Sequence, residues 1–134
     1  MAKETGLGWT TFSVDDDGGT PRDLRDPVTS LDFATPYAMQ DVTGLAKSAM
    51  ERLALLADFS GTFNGVFDPA ANSLHAVCSG DLRVVRTMTI TVSAQVLPNE
   101  VLLTDYKLTR GAGGEFTAQI PFVLADGTVP NWTT

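Results

Sequence analysis

The chain has 134 residues, a net charge of −7 and a hydrophobic fraction of 43%. This length and composition are typical of one globular domain, here residues 1–134, with its own core. The acidic balance argues against a nucleic-acid-binding protein, because such proteins hold phosphates with clusters of Lys and Arg. The single cysteine, Cys78, excludes an internal disulfide.

The N-terminal residues carry no periodic pattern, and we expect a flexible N-terminal arm over about residues 1–8. They lack the basic and apolar segments of a signal peptide, and no apolar run of the chain is long enough to span a membrane. We therefore expect synthesis in the cytoplasm and no membrane partner. From Trp9 the sequence alternates, with Thr10, Phe12 and Val14 on one face, which predicts a first strand.

The stretch DDDGGTPRD, residues 15–23, predicts a turn or a solvent-exposed loop, because it contains two glycines and a proline. Asp15 and Asp17 ahead of Gly18 weakly resemble a calcium-binding loop. The further oxygen ligands, the final glutamate and the flanking helices of such a loop are missing, so we expect no calcium site.

A second strand is predicted within residues 27–36, with Leu31 and Phe33 on the core face. Asp32 lies on the opposite face of that strand, with Ser30 and Ala34. The following segment, about residues 36–48, has no clear period and contains a glycine. We expect it to form a projecting loop.

The stretch KSAMERLALLADFSGTFNGVFDP, residues 47–69, carries two incompatible signals. Ser48 and Glu51 have the spacing of a capping box, which predicts a helix start. From Leu53 to Phe67, however, every second residue is apolar or small, which indicates a strand. The longer pattern favours a short turn over residues 48–52 and then one long strand. Its core face would hold Leu55, Phe59, Phe63 and Phe67, and its polar face would hold Asp58, Ser60, Thr62 and Asn64.

A short α-helix is predicted over about residues 69–79, with Asp68 or Asn72 as the capping residue and Gly80 as the stop signal. His75 and Cys78 lie three residues apart on this helix, so their side chains would be neighbours. Two side chains are too few to indicate a nucleophile–base pair or a zinc site. We interpret Cys78 as packed inward and His75 as lying near the surface.

The remaining sequence alternates within residues 83–93, 101–109 and 115–124 and is rich in β-branched residues. LPNE, residues 97–100, and GAGG, residues 111–114, are predicted turns. Short connections favour an antiparallel meander. The sequence thus predicts a mainly β protein, an antiparallel β-sandwich or barrel-like fold with one short flanking α-helix (about 69–79).

Motifs that carry chemistry are missing from the sequence. There is no P-loop, and GAGGEF lacks the spacing and the following helix of a dinucleotide-binding loop. Pairing carboxylates at random among sixteen acidic residues has no predictive value. We therefore predict no enzymatic activity, no cofactor and no metal site.

The segment DVTGLAKSAMERLALLADFSGTFNGVFDPAANSLHAV, residues 41–77, resembles the major tail proteins of long non-contractile-tailed bacteriophages, especially those that infect actinobacteria. These are the tail tube proteins of the virion. The segments TGLGWTTFSVDD, GGTPRDLRDPVTSLDFATP, NEVLLTDYKLTR and VLADGTVPNW are similar to the same family. The resemblance covers nearly the whole chain, with residues 78–96 the least distinctive part.

The resemblance implies a tail-tube fold in which hexameric rings of identical subunits stack into a tube in the virion tail. The tube would enclose a tape-measure protein, contact tail-terminator and tail-tip proteins, and conduct DNA through its lumen without specific binding. An acidic lumen would repel phosphates. The loops at 15–27 and 36–48, the first residues and the end of the chain near Trp132 are candidate contacts between copies.

The resemblance does not say which face of the subunit lines the tube. The candidate lumen-facing residues are Asp32, Asp58, Ser60, Thr62, Asn64, Asp105 and Lys107, and the alternative is an ordinary solvated face. The predicted core residues are Leu31, Phe33, Leu55, Phe59, Phe63 and Phe67. Two other functions remain open: another virion module, such as a decoration or tail-completion protein, and a small β-barrel enzyme or ligand carrier.

Overall fold

The computed structural model describes Lys3, Thr5 and residues 7–134, so the expected N-terminal arm over residues 1–8 lies partly outside the described residues. Antiparallel strands dominate the fold, and one short helix accompanies them, which confirms the predicted mainly β class. The elements in chain order are β1 Trp9–Asp15, β2 Pro21–Asp23, β3 Val28–Ala34, β4 Tyr37–Asp41, β5 Arg52–Ala57, β6 Ser60–Val66, α1 Leu74–Cys78, β7 Arg86–Val92, β8 Gln95–Leu103, β9 Lys107–Arg110 and β10 Phe116–Leu124.

The main sheet has the strand order β2-β1-β7-β8-β10-β6-β3, and all its pairs are antiparallel. One edge of β10 pairs with β6, while β8 and β9 share the other edge. The sheet folds over itself, because the rings of Phe12 in β1 and Phe63 in β6 meet edge to face with centroids 5.3 Å apart. The two halves of one sheet therefore form a sandwich around a common core.

The core is filled from the inward faces of both halves. Phe59, Phe63 and Phe122 are fully buried, and the Phe122 ring packs against the rings of the other two. Leu31 and Phe33 on β3 are partly buried against this cluster. Phe67 packs elsewhere, between the rings of His75 and Phe116.

The single long strand predicted from Leu53 to Phe67 is wrong. Two strands occupy this segment, and they lie in different sheets: β5 pairs with β4, whereas β6 belongs to the main sheet. Asp58 forms the break, since its amide donates to the carbonyl oxygen of Pro36 at 2.8 Å and its carboxylate accepts from the Phe59 amide at 2.8 Å. These two bonds redirect the backbone without glycine or proline. The placement of Leu55 in the core is also wrong, because its side chain is half exposed.

The segment expected to form a projecting loop, residues 36–48, begins as a strand instead. β4 pairs with β5 to form a two-stranded hairpin, and its end loop spans residues 42–51. The capping-box residues Ser48 and Glu51 lie in this loop and start no helix. Within the loop, the Thr43 hydroxyl oxygen accepts from the Glu51 amide at 2.8 Å, and the Val42 amide donates to the Glu51 carbonyl at 2.9 Å.

The turn predicted at LPNE is wrong as well, because residues 97–100 lie inside β8. The β7–β8 hairpin turns at Ser93 and Ala94, whose φ angles of 51° and 65° are those of a type I′ turn. Pro98 is tolerated because β10 pairs only with residues 101–103 of β8, which leaves Pro98 on an edge. The turn predicted at GAGG is confirmed: the Gly111 amide donates to the Glu115 carbonyl at 2.8 Å.

The helix is present but shorter than the predicted range of about 69–79. It spans five residues, Leu74–Cys78, with Leu74, Val77 and Cys78 buried. The residues before it form a turn held by Asp68, whose carboxylate accepts from the Ser73 hydroxyl at 2.7 Å and the Ala70 amide at 3.0 Å. These bonds hold the pKa of the Asp68 carboxyl below its usual value, the bond from Ser73 most strongly.

Candidate assembly surfaces

His75 and Cys78 do not form a reactive pair. The Cys78 side chain is buried, and burial raises the pKa of its thiol from the ordinary 9.0 to about 12. A nucleophilic cysteine needs the opposite shift. The His75 ring lies instead against Phe67 and has its Nδ1 3.1 Å from the Tyr106 hydroxyl. His75 therefore belongs to a cluster of aromatic side chains that packs beside the helix.

In the acidic turn after β1, the central carboxylate, that of Asp16, is held by hydrogen bonds from nearby residues. The Asp16 carboxylate accepts from the Gly18 and Thr20 amides at 2.9 and 3.0 Å and from the Arg22 guanidinium at 3.2 Å. The bond from Thr20 contributes most to holding the pKa of the Asp16 carboxyl below its usual value. Over the described part of the chain, no three His, Cys, Asp or Glu side chains are grouped to hold a metal ion.

Four of the seven candidate lumen residues come together on one outward surface. Asp32 lies opposite Thr62 across β3 and β6, and Asn64 lies opposite Ser30, whose hydroxyl accepts from the Asn64 amide group at 3.0 Å. Ser60 lies on the same side of β6 as Thr62, because the two residues are two positions apart in the strand. We call the outward side of β3, β6, β10 and β9 the polar face.

Lys107 extends the polar face, while Asp58 and Asp105 lie beside it. Lys107 on β9 is paired with Gln119 of β10, which is in turn paired with Asn64. Asp58 occupies the break between β5 and β6, and Asp105 lies in the bend between β8 and β9. Asp32 and Lys107 are the charged side chains that the strand registers place on this face. The face is therefore polar and nearly neutral, not acidic as the net charge suggested.

Arg86 is a buried charged side chain that was not among the predicted site or core residues. It is fully buried at the start of β7, and its guanidinium donates to the carbonyl oxygens of Asp15 at 3.2 Å, Asp81 at 2.8 Å and Val77. It thereby joins the end of β1, the helix and the loop before β7. The signal was present in the sequence, because alternation places Arg86 on the same face as Met88 and Ile90.

The β4–β5 hairpin, residues 37–57, projects from the sandwich, and we call it the projecting hairpin. Although every residue from 35 to 58 is described, none belongs to the hydrophobic core cluster. Seven of the thirteen exposed large apolar side chains in the described chain nevertheless lie on this hairpin. They are Tyr37, Met39, Leu45, Met50, Leu53, Leu55 and Leu56. Such a concentration of apolar surface marks an interaction site.

A groove of about 550 Å³ opens between the start of β1 and the start of β3. Its walls include Trp9, Phe12, Val28 and Leu31, with Arg25 at its side. We call it the β1–β3 groove. Within the described residues, no helix has the length and apolar composition to cross a bilayer.

The fold is shared with chains of known virus-like particles. It matches a chain from the tail of an empty gene transfer agent particle, determined by helical refinement with C6 symmetry, with a TM-score of 0.72 and 16% identity over 98% of this chain and 100% of that one. It also matches a chain from the virion of a native gene transfer agent particle, with a TM-score of 0.71, 14% identity and the same coverage. No protein-family profile and no curated protein matches the sequence. At such identities the likeness shows a common fold along the whole chain.

Proposed function

We propose that the chain is a tail tube protein, whose copies form six-membered rings that stack into the tube of a phage-like tail. The observation that carries this proposal is the fold match over 98% of the chain to a component of a C6-symmetric tail. The match includes all of that chain. The proposal agrees with the similarity of residues 41–77 to phage tail tube proteins.

Open strand edges support self-association. Among the described strands, β3 pairs only with β6 and β9 pairs only with β10, so each has one edge without a strand partner. Unpaired edges present rows of free amides and carbonyls, which favour pairing with another chain. Strand pairing between neighbours in a ring would cover these edges and continue the sheet around the lumen.

We propose further that the polar face lines the lumen. Its side chains are mostly small and uncharged, and Lys107 is the one cation that the registers place there. A surface with so few cations offers phosphates few contacts, so DNA would pass without adhering. The same lumen would hold the tape-measure protein during assembly, and tail-terminator and tail-tip proteins would close the two ends.

Electron microscopy of the purified protein tests the central claim. Negative-stain images at increasing protein concentration should show six-fold rings or hollow tubes of uniform width. Monomers that persist at millimolar concentration would contradict the proposal. Compact particles that bind preformed capsids or tails without forming tubes would instead support another virion module, such as a decoration or tail-completion protein.

A further inference from the structure

Asn99 is a polar residue at a core position of β8. It lies on the inward face between Leu97 and Val101, and its side chain is only 6% exposed. The Asn99 amide nitrogen donates to the carbonyl oxygen of Leu97 at 3.3 Å, whereas its Oδ1 has no hydrogen-bond partner among the described atoms. A buried acceptor without a donor destabilises a fold, so Oδ1 of Asn99 indicates a further interaction at this place.

Arg86 carries the complementary group on the neighbouring strand. It is fully buried on β7, and its Nε, a donor, also has no partner among the described atoms. In the register of the two strands Arg86 lies opposite Val101 and Met88 lies opposite Asn99, so Arg86 and Asn99 are diagonal neighbours on the inward face. Their Cα atoms are therefore roughly 7–8 Å apart, which lets side chains of this length approach each other. A free donor and a free acceptor thus face the same part of the core.

The outer edge of β8 has no strand beside it at Asn99. β10 pairs with residues 101–103 of β8, and the C-terminal residues return to this edge only at Val96, which pairs with Thr133. Among the described strands, none covers the edge of β8 between these contacts. Asn99 also keeps a slight exposure to solvent. A small molecule can therefore reach the Asn99 amide from this side of the sandwich.

We propose that a buried water molecule joins Arg86 to Asn99. The water accepts a hydrogen bond from Nε of Arg86 and donates one to Oδ1 of Asn99. The chemistry of the two groups selects water, because the ligand must accept from a guanidinium and donate to a carbonyl oxygen. A metal ion would be repelled by the charge of Arg86, and an anion such as chloride has no proton to donate to Asn99.

The water extends the contacts of Arg86 to one more element, β8. The guanidinium donates directly to carbonyl oxygens of β1, the helix and the loop before β7. The additional link fixes the register of the β7–β8 hairpin, because a slip of one residue would turn Asn99 to the outward face. It also offsets part of the desolvation cost of the buried guanidinium. This role belongs to the single subunit and does not depend on tube formation.

A double-mutant cycle in the full chain tests the link. Asn99→Leu removes the acceptor, and Arg86→Met removes the donor. In the original protein, Asn99→Leu should lower the equilibrium constant for folding about tenfold. In the Arg86→Met background the same change should lower it less than about threefold, because the water has already lost its donor. Asn64→Leu is the matched control, since Asn64 lies on the polar face and should have the same effect in both backgrounds. Equal effects of Asn99→Leu in the two backgrounds would overturn the proposal.

A high-resolution crystal structure of the original protein provides a test that needs no variant. Density for a water molecule should lie about 2.7–3.2 Å from both Nε of Arg86 and Oδ1 of Asn99. In crystals of Asn99→Leu this water should be lost, while the hydrogen bonds from Arg86 to the three carbonyl oxygens remain. Density next to only one of the two atoms, or a direct bond between them, would overturn the water bridge.

Discussion

Arg86 has the largest fully buried side chain in the described chain. Its hydrogen bonds go to three backbone carbonyls, and its Nε has no partner among the described atoms. A buried cation held by carbonyl dipoles has a large desolvation cost. We interpret Arg86 as a connector that fixes β1, the helix and β7 relative to one another.

Replacing this connector should destabilise the fold. Arg86→Met keeps much of the apolar stem but leaves the carbonyls of Asp15, Val77 and Asp81 without their donor. We expect a loss of about 2–5 kcal/mol in the free energy of unfolding, measured by urea denaturation of the monomer. Arg83→Met is the matched control: its side chain is 91% exposed and forms an ion pair with Asp81 on the surface, so its effect should stay within about 0.5 kcal/mol. Equal effects of the two substitutions would disprove the connector role.

Cys78 gives a pH dependence with a defined sign. Its thiol pKa is about 12 in the folded state against an ordinary 9.0, because burial disfavours the thiolate. Between these values the unfolded thiol ionises while the folded thiol remains protonated. The contribution of Cys78 to stability is therefore intact below pH 9 and falls by up to about 1.4 kcal/mol per pH unit above it.

The comparison of the original protein with Cys78→Ala isolates this effect from other groups that titrate above pH 9. Urea denaturation from pH 8 to pH 11 should show a steeper loss of stability for the original protein. Parallel curves for the two proteins would show that the Cys78 thiol ionises as readily in the folded state as in the unfolded state.

At the scale of elements, Gly61 allows β3 to approach β6 closely. A Cβ atom there would meet the carbonyl oxygen of Asp32, Cα of Phe33 and the ring of Phe122. Two of these atoms belong to the backbone of β3 and cannot rotate away. Glycine in the middle of β6 therefore lets β3 and the Phe122 ring pack against the strand.

Adding one methyl group at this position should separate β3 from β6. Gly61→Ala should lower the free energy of unfolding by about 1–3 kcal/mol, since the packed surroundings cannot relax freely. Gly44→Ala is the control, because a Cβ atom there meets nothing within 4 Å. Thermal unfolding of both variants checks the prediction, and a fully stable Gly61→Ala protein would contradict the reported β3–β6 packing.

The predicted strand bounds are wrong where the pairing of a strand, and not its periodicity, decides where the strand begins and ends. Leu55 and Phe63 obey the same alternation, yet a break at Asp58 puts them in different sheets. Likewise, proline in LPNE suggested a turn, but Pro98 occupies a stretch of β8 that β10 does not reach. In both places the deciding interaction comes from residues distant in the sequence, to which a local pattern is insensitive.

At the scale of the molecule, the proposal for the lumen predicts which outward surface of the subunit the tube encloses. Ser60 lies on the polar face between Ala34 and Val123, and Thr89 lies on the opposite outward face between Ser13 and Pro98. Both are half-buried residues on central strands with uncharged neighbours. The two positions form a matched pair for labelling.

The variants Ser60→Cys and Thr89→Cys should react differently with a bulky polyethylene-glycol maleimide once tubes have formed. We expect Ser60→Cys to lose most of its reactivity on assembly, because the reagent cannot enter a narrow lumen, while Thr89→Cys keeps it. Labelling of the dissociated subunits provides the reference. The reverse pattern would place the outward face of β1, β7 and β8 in the lumen.

The sequence by itself determined the class of the fold and much of its inward surface. Alternating apolar residues predicted β1, β7 and β10 and divided each into two faces, because neighbouring side chains of a strand point to opposite sides. The same rule places Arg86 on the face of Met88 and Ile90, but only the structure shows that this face is buried. The resemblance of residues 41–77 to tail tube proteins needed no structure.

Only the tertiary structure decided where the strands go and which surfaces meet. It assigned β5 to a projecting hairpin and β6 to the core sheet, and gathered Asp32, Ser60, Thr62 and Asn64 on one face. The physical reason is that periodicity reports the two sides of a strand, whereas burial depends on which other strands cover each side.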